Sequence, residues 1–196
     1  MRMISRRTLG VTLVGATVAG GVMLRKPARP NVLSPVTAPI GELPPLQGMD
    51  ALVLTQPPRP LAEITWIDAQ GATHRAAELV GRGVVINLWA TWCVPCVAEL
   101  PALAALARRG AGEGIAVLAL SSDRGGAATV RRYFDRHQIL ALDVLIDPQG
   151  DAARLLGARG VPTTIVVDRT GQERARLEGA ADWSTDAAFA RLKKLV

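Results

Sequence analysis

Short apolar segments in the second half of the chain alternate with segments of helical pattern. Residues 84–89 and 115–120 are nearly continuous apolar runs of the length of buried strands. Residues 63–67 instead alternate between apolar and polar positions, as half-buried strands do. The pattern predicts strands at 63–67, 84–89, 115–120, 144–146, 163–167 and 173–177, and helices at 93–110, 129–137, 151–156 and 184–195, the last capped by Ser184.

Strands that alternate with helices and end in a hairpin predict an α/β fold, with a central mixed sheet flanked by helices. We place this domain at residues 61–196. The segment before it is rich in proline, since residues 27–60 contain nine of the 13 prolines. Such a composition is typical of an extended, semi-rigid chain. Residues 31–60 are therefore interpreted as a tether.

The first 30 residues have the pattern of an export signal or an N-terminal membrane anchor. Three arginines precede an uncharged, moderately apolar stretch from Leu9 to Leu24, and Ser5-Arg6-Arg7-Thr8-Leu9 resembles a twin-arginine export signal. As a helix, this stretch would span about 24 Å, less than the roughly 30 Å of a bilayer core. No Ala-x-Ala cleavage site follows it. We expect a retained anchor, with signal cleavage and a soluble exported protein as the alternative.

The basic charge of the chain belongs to this N-terminal segment. Lys and Arg number 23 against 17 Asp and Glu, which gives a net charge of +6. Six of the cations lie within the first 30 residues, and the first acidic residue is Glu42. The remainder is neutral and shows no stripe of cations interleaved with aromatics, so we expect no nucleic-acid partner.

The chain has two cysteines, Cys93 and Cys96, separated by two residues. A structural zinc site normally needs four ligands, and a disulfide framework needs more cysteines at wider spacing. The two histidines, His74 and His137, lie far from the cysteines in sequence and are interpreted as surface or half-buried residues. A redox pair without metal or other cofactor is therefore the preferred interpretation, and a zinc half-site or a plain internal disulfide is the alternative.

The Cys-x-x-Cys pair follows a predicted buried strand and opens a predicted helix. At a helix N-terminus Cys93 faces unpaired N–H groups and the positive end of the helix dipole, which favour the thiolate. Cys96 lies one turn further on and should be more buried. We therefore expect Cys93 to attack a partner's disulfide and Cys96 to resolve the mixed disulfide. Pro95 is tolerated here because the first helical turn needs no N–H donor at that position.

The surrounding sequence, with Trp92-Cys93-Val94-Pro95-Cys96 continuing to Glu99-Leu100-Pro101, resembles the TlpA/ResA family of membrane-tethered, thioredoxin-like thiol:disulfide oxidoreductases. The resemblance covers about residues 50–195. Further matching segments are Gly71, 79–81, 161–163, 168–171 and 179–183, the last favouring the TlpA branch. The resemblance implies a thioredoxin-like fold with an extra strand–helix insertion at about residues 115–140.

The resemblance also implies roles for residues outside the cysteine pair. Pro162 matches a cis-proline beside the disulfide, and Val161 before it would offer its backbone to the substrate chain. Asn87 occupies the position of a buried aspartate in thioredoxins. Glu99 matches a glutamate near the active site that would handle a proton or raise the thiol pKa values, the alternative being an ordinary exposed helix residue. Trp92 is expected to contact partners.

The dipeptide between the cysteines contains no histidine or cation that would stabilise a thiolate, and we therefore expect a reductant rather than an oxidant. The resemblance implies exported disulfide substrates, either in copper-site assembly of cytochrome oxidase or in cytochrome c maturation. It also implies a membrane dithiol electron donor and a location on the periplasmic side of the bacterial inner membrane. A copper chaperone on the same fold and a disulfide-forming oxidant are the alternatives.

Overall fold

The computed structural model describes residues 45–196. Eight strands and four α-helices follow one another, with two short 3₁₀ turns at Met49–Ala51 and Ala76–Leu79. The elements are β1 (Val53–Pro60), β2 (Thr65–Ile67), β3 (Thr73–Arg75), β4 (Gly83–Trp89), α1 (Val94–Ala111), β5 (Ile115–Ser121), α2 (Gly126–His137), β6 (Leu145–Ile146), α3 (Asp151–Leu155), β7 (Thr163–Val167), β8 (Gln172–Glu178) and α4 (Asp186–Lys193).

The strands form one mixed sheet in the order β1-β8-β7-β4-β5-β6-β2-β3. Strand β4 runs parallel to β5 and antiparallel to β7, and β7 forms the predicted hairpin with β8. The predicted fold class, a mixed sheet flanked by helices, is thereby confirmed. The residues assigned to the extra strand–helix element form β5, which lies beside β4, and α2.

Strand β4 is buried along its whole length because apolar layers cover both faces of the sheet. Val85 and Trp89 face a core that also contains residues of α1, α2 and α4. Val84 and Ile86 face a second core, to which α3 contributes Ala152. Burial on both faces explains why the sequence of this strand is an almost unbroken apolar run.

The tether prediction is wrong for residues 53–60. These residues form β1, which pairs antiparallel with β8 through Val53↔Arg176 and Leu54↔Ala175 at one end. The register shifts between Leu54 and Arg59, across the segment that contains Pro57 and Pro58. An edge strand needs hydrogen-bond donors on one side only, so it tolerates prolines that an interior strand would exclude. The domain therefore begins before residue 61.

The sequence reading misses two further local features. Strand β3, the hairpin partner of β2, is only three residues long, which is too short to show the alternation of apolar and polar residues that predicts a strand. The cap of α4 is Thr185 rather than Ser184, because Thr185 Oγ1 accepts a hydrogen bond from Ala188 N at 3.1 Å. Ser184 Oγ instead donates to Asp182 Oδ1.

Within residues 45–196, none of the helices combines the length and the apolar character that crossing a bilayer requires. The anchor or signal predicted for residues 1–30, and the part of the tether at residues 31–44, lie outside the described residues. Those assignments therefore stay predictions.

Candidate functional site

The N-terminus of α1 carries the cysteine pair. Cys93 is the N-cap, and its Sγ accepts a hydrogen bond from Cys96 N at 3.3 Å, where a helix otherwise has an unpaired donor. Val94 and Pro95 occupy the first helical turn. The sulfur atoms of Cys93 and Cys96 are 2.07 Å apart, so the site is in its disulfide form.

The two sulfurs differ in their access to solvent. Cys93 is 6% exposed, whereas Cys96 is completely buried. The neighbours of Cys93 in sequence are far more open, with Trp92 at 67% and Val94 at 57% exposure. Two exposed apolar side chains beside the more accessible sulfur form a surface against which another polypeptide can pack.

A second loop, from Gly160 to Pro162, lies against the disulfide. The peptide bond between Val161 and Pro162 is cis, as the resemblance implies. Val161 O lies 3.6 Å from Cys93 Sγ. The loop is held by Gly179 N, which donates to Pro162 O at 2.8 Å, and by Thr163 Oγ1, which donates to Gly160 O at 2.7 Å.

Glu99 is fully buried on α1, one turn after Cys96, so the alternative of an exposed helix residue is wrong. Burial raises the pKa of its carboxyl to about 7, although three hydrogen bonds act in the opposite direction. Oε1 accepts from Asn87 Nδ2 at 2.8 Å. Oε2 accepts from Ala181 N at 2.9 Å and from Trp183 Nε1 at 3.0 Å. The carboxyl is therefore rigidly held and can change protonation near neutral pH.

Asn87 lies on β4 beneath the helix and is also fully buried. Its Nδ2 donates to Glu99 and to Thr164 Oγ1 at 2.9 Å, the latter on β7. The amide thus places two N–H donors where a second carboxylate would repel Glu99. Its Oδ1 is buried and has no hydrogen-bond partner within the described residues.

Sequence reasoning missed Asp123, which braces the loop between β4 and Cys93. Asp123 is 4% exposed and accepts hydrogen bonds from Thr91 N at 2.9 Å and from Thr91 Oγ1 at 2.6 Å. Ser121 Oγ donates at 2.7 Å to Oδ2, the same oxygen that accepts from Thr91 N. An acidic residue in the loop just after a buried strand is the available signal, since such loops commonly carry site residues.

Of the two histidines one is half-buried and the other exposed, as predicted. His74, on β3, is half-buried and lies between Asp68 and Glu78, with ring nitrogens 3.0 Å and 2.8 Å from their carboxylates. His137 is exposed at the end of α2. Across residues 45–196, no cluster of three His, Cys, Asp or Glu side chains is arranged to hold a metal ion.

The sequence of this chain is similar to a known protein family and to known thiol–disulfide oxidoreductases. A family model described as the AhpC/TSA family matches residues 57–175. Thiol-disulfide oxidoreductase ResA of Bacillus thuringiensis subsp. konkukian is 29% identical over 112 residues, 57% of this chain and 64% of that protein. Thiol:disulfide interchange protein DsbE of Pseudomonas fluorescens biotype C is 31% identical over 110 residues, 56% of this chain and 59% of that protein.

Solved structures of other proteins share the fold of this chain. The exposed lipoprotein thioredoxin Etrx1 of Streptococcus pneumoniae is 28% identical, with a TM-score of 0.58, over 68% of this chain and all of that one. A DsbF homologue from Corynebacterium diphtheriae, 20% identical, shares the fold with a TM-score of 0.59 over 81% of this chain and 96% of that one. The thioredoxin-like fold and the resemblance to ResA are thereby confirmed, while the preference for the TlpA branch stays a prediction. The matches to the ResA and DsbE relatives span less than two thirds of their length.

Proposed function

Because this chain belongs to the AhpC/TSA family, we propose that its Cys93–Cys96 pair makes it an extracytoplasmic thiol:disulfide oxidoreductase that reduces disulfides in exported partner proteins. One observation carries the proposal: Cys93 Sγ lies at the N-terminus of α1, 3.6 Å from the carbonyl of Val161. A thiolate there is stabilised by helix N–H groups, and a substrate chain can align along the neighbouring backbone.

The chemistry proceeds by two thiol–disulfide exchanges. In the reduced protein the Cys93 thiolate attacks one sulfur of the partner's disulfide, which forms a mixed disulfide and releases the partner's other thiolate. Cys96, deprotonated, then attacks Cys93 Sγ, restores the internal disulfide and releases the second partner thiolate. The partner gains two electrons and two protons, and the protein loses the same number. A membrane dithiol must therefore reduce the pair again before the next cycle.

The direction of electron flow follows from what surrounds the thiols. A strong oxidant needs a reduced form whose thiolate is unusually stabilised. Val94 and Pro95 supply no charge, and Glu99 is a buried acid on the same helix that becomes negative near neutral pH. A negative charge near the pair opposes the thiolate, which favours a reducing potential.

The partners are exported proteins whose cysteines must be kept reduced, in copper-site assembly of cytochrome oxidase or in cytochrome c maturation. This assignment is supported by the resemblance described above, whereas the names of the ResA and DsbE relatives support the thiol–disulfide chemistry alone. The N-terminal segment would hold the domain at the periplasmic face of the inner membrane.

Measurement of the reduction potential against a glutathione or dithiothreitol buffer tests the direction of the reaction. We expect a value at least as negative as that of thioredoxin, about −270 mV, rather than near the −120 mV of DsbA. Reduced protein should also reduce a disulfide-bonded peptide, and the Cys93→Ser variant should not. A potential near that of DsbA would establish an oxidant instead, and tight copper binding without peptide reduction would establish a chaperone.

The location is tested on the full chain in membrane fractions. We expect mature protein to begin at or near Met1 and to remain membrane-bound in high salt. A soluble exported product that starts after residue 20 would establish signal cleavage, and the Arg6→Lys, Arg7→Lys double variant would then test the twin-arginine route.

A further inference from the structure

A charged cavity of about 470 Å³ opens next to the loop that faces the disulfide. One wall includes Arg159, which precedes Pro162 by three residues. Another includes Glu178, the register partner of Thr163 immediately after Pro162. The volume falls within the range that encloses a side chain or a short segment of a ligand. Arg159 therefore connects the cavity, along the chain, to the loop where a substrate chain would meet Cys93.

Arginines outnumber carboxylates in this cavity. Arg59 and Arg176 both bind Glu173, with N···O distances of 3.0 Å and 3.1 Å, so one carboxylate faces two cations. Glu173 is nearly buried and holds both arginines in place. Glu178 is the second carboxylate and Arg159 the third arginine, which leaves one positive charge in excess.

Arg159 is the cation most available to a ligand. Its side chain is 86% exposed, and its Nε lies 3.8 Å from Glu178 Oε1, beyond hydrogen-bond distance. A guanidinium in such a position presents several N–H donors in a plane and can bind a carboxylate with two parallel hydrogen bonds. The loose pairing with Glu178 leaves room for a competing acid.

We propose that this cavity selects substrates whose target cysteine lies close to an acidic residue, with Arg159 binding the acidic side chain. This inference rests on the function proposed above and names a class of substrate for it. The cavity would act on the docking step, in which charges affect the rate of encounter and the register.

The spacing limits where the acidic residue must lie. The Cα atoms of Arg159 and Val161 are at most about 7 Å apart, since two residues of extended chain span no more. A substrate strand rises about 3.3 Å per residue. A partner chain that passes Val161 with its cysteine at Cys93 therefore reaches Arg159 within two or three residues, and its acidic residue should occupy that position.

The test uses disulfide-bonded peptides that differ only in the residues two and three positions on either side of the cysteine, which are Glu, Gln or Lys. The rate of reduction by the reduced protein is measured at low and at high salt. We expect the Glu peptides to react about two- to fivefold faster than the Lys peptides at low salt, as for an exposed ion pair, and the difference to shrink in high salt.

Two variants move this preference in opposite directions. Arg159→Glu should remove or invert the preference for Glu peptides, whereas Glu178→Gln should increase it by removing the competing carboxylate. The matched control is Arg108→Glu, because Arg108 is exposed near the far end of α1, about 22 Å along the helix from Cys93. The control should retain the wild-type preference.

The outcomes separate this inference from the proposed function. Equal rates for Glu and Lys peptides, or an identical preference in Arg159→Glu and Arg108→Glu, would overturn the acidic-substrate inference and leave the reductase intact. Reduction of none of the peptides, including the Gln series, would overturn both.

Discussion

Asn87 Nδ2 on β4 donates to Glu99 Oε1 on α1 at 2.8 Å, and both side chains are fully buried. This contact joins the central strand to the helix that carries the cysteine pair. Ala181 N and Trp183 Nε1 complete the set of donors, so three hydrogen bonds hold the Glu99 carboxylate in place. When Glu99 titrates, its charge therefore changes at a defined position near the N-terminus of α1.

The first prediction concerns stability and pH. The pKa of Glu99 rises from its usual 4.5 to about 7 on folding, so the folded state binds this proton more tightly. The free energy of unfolding should therefore fall as pH rises from about 4.5 to 7, by up to about 3 kcal/mol. Glu99→Gln should remove this part of the pH dependence, because the amide does not titrate. Urea unfolding of the oxidised protein between pH 5 and pH 8 measures it.

The exposed Glu63 provides a control for that experiment. Glu63→Gln should retain the wild-type slope, since an exposed carboxyl has no burial penalty to lose. A Glu99→Gln variant with the wild-type slope would show that the titration of Glu99 is not linked to folding.

The second prediction concerns the potential. When ionised, Glu99 opposes the thiolate, so Glu99→Gln should lower the lowest thiol pKa and raise the reduction potential, by roughly 30 mV for each pKa unit. Because the pKa of Glu99 is about 7, the two proteins should differ at pH 8 and converge near pH 5.5, where Glu99 is protonated in the wild type. Thiolate absorbance and a glutathione equilibrium at both pH values measure the effect. Slower exchange with an unchanged potential would instead assign proton transfer to Glu99.

The third prediction separates the two cysteines. Cys93 is the more exposed and lies at the N-cap of α1, so it should be alkylated faster than Cys96 in the reduced protein. Cys96→Ser should accumulate a mixed disulfide with substrate, and Cys93→Ser should not. Peptide mapping after brief alkylation gives the order, and the difference should disappear in urea. Faster labelling of Cys96 would reverse the two roles.

The fourth prediction concerns Asp123, which fixes the backbone at Thr91, two residues before Cys93. Asp123→Ala would leave the Thr91 N–H without its acceptor and should cost about 1–3 kcal/mol of stability. Exchange with a peptide disulfide should also slow, because the loop before the nucleophile loses its support. Asp123→Asn keeps an acceptor and should recover most of the stability. Exchange at the wild-type rate in the folded Asp123→Ala variant would contradict a positioning role.

The sequence predicts strands and helices correctly where the local pattern of apolar and polar residues reflects their burial. The predicted strand 84–89 and the predicted helix from Cys93 agree with the structure to within a residue or two, because a strand covered on both faces and a capped helix have strong local signals. The burial of Glu99 is not predictable from the residues around it in the sequence. Two of its three donors, Ala181 and Trp183, lie more than 80 residues further along the chain. Strand β1 is missed for a different reason. Its local sequence is misleading, because its prolines are typical of a linker.

Those prolines affect the solution behaviour of the domain. β1 lies at one margin of the sheet, and Pro57, Pro58 and Pro60 interrupt the row of N–H groups that an unpaired margin would offer to another chain. At the opposite margin, β3 has only three residues. Neither margin is a good template for intermolecular strand pairing, so the domain should resist fibrillar self-association even at high local concentration.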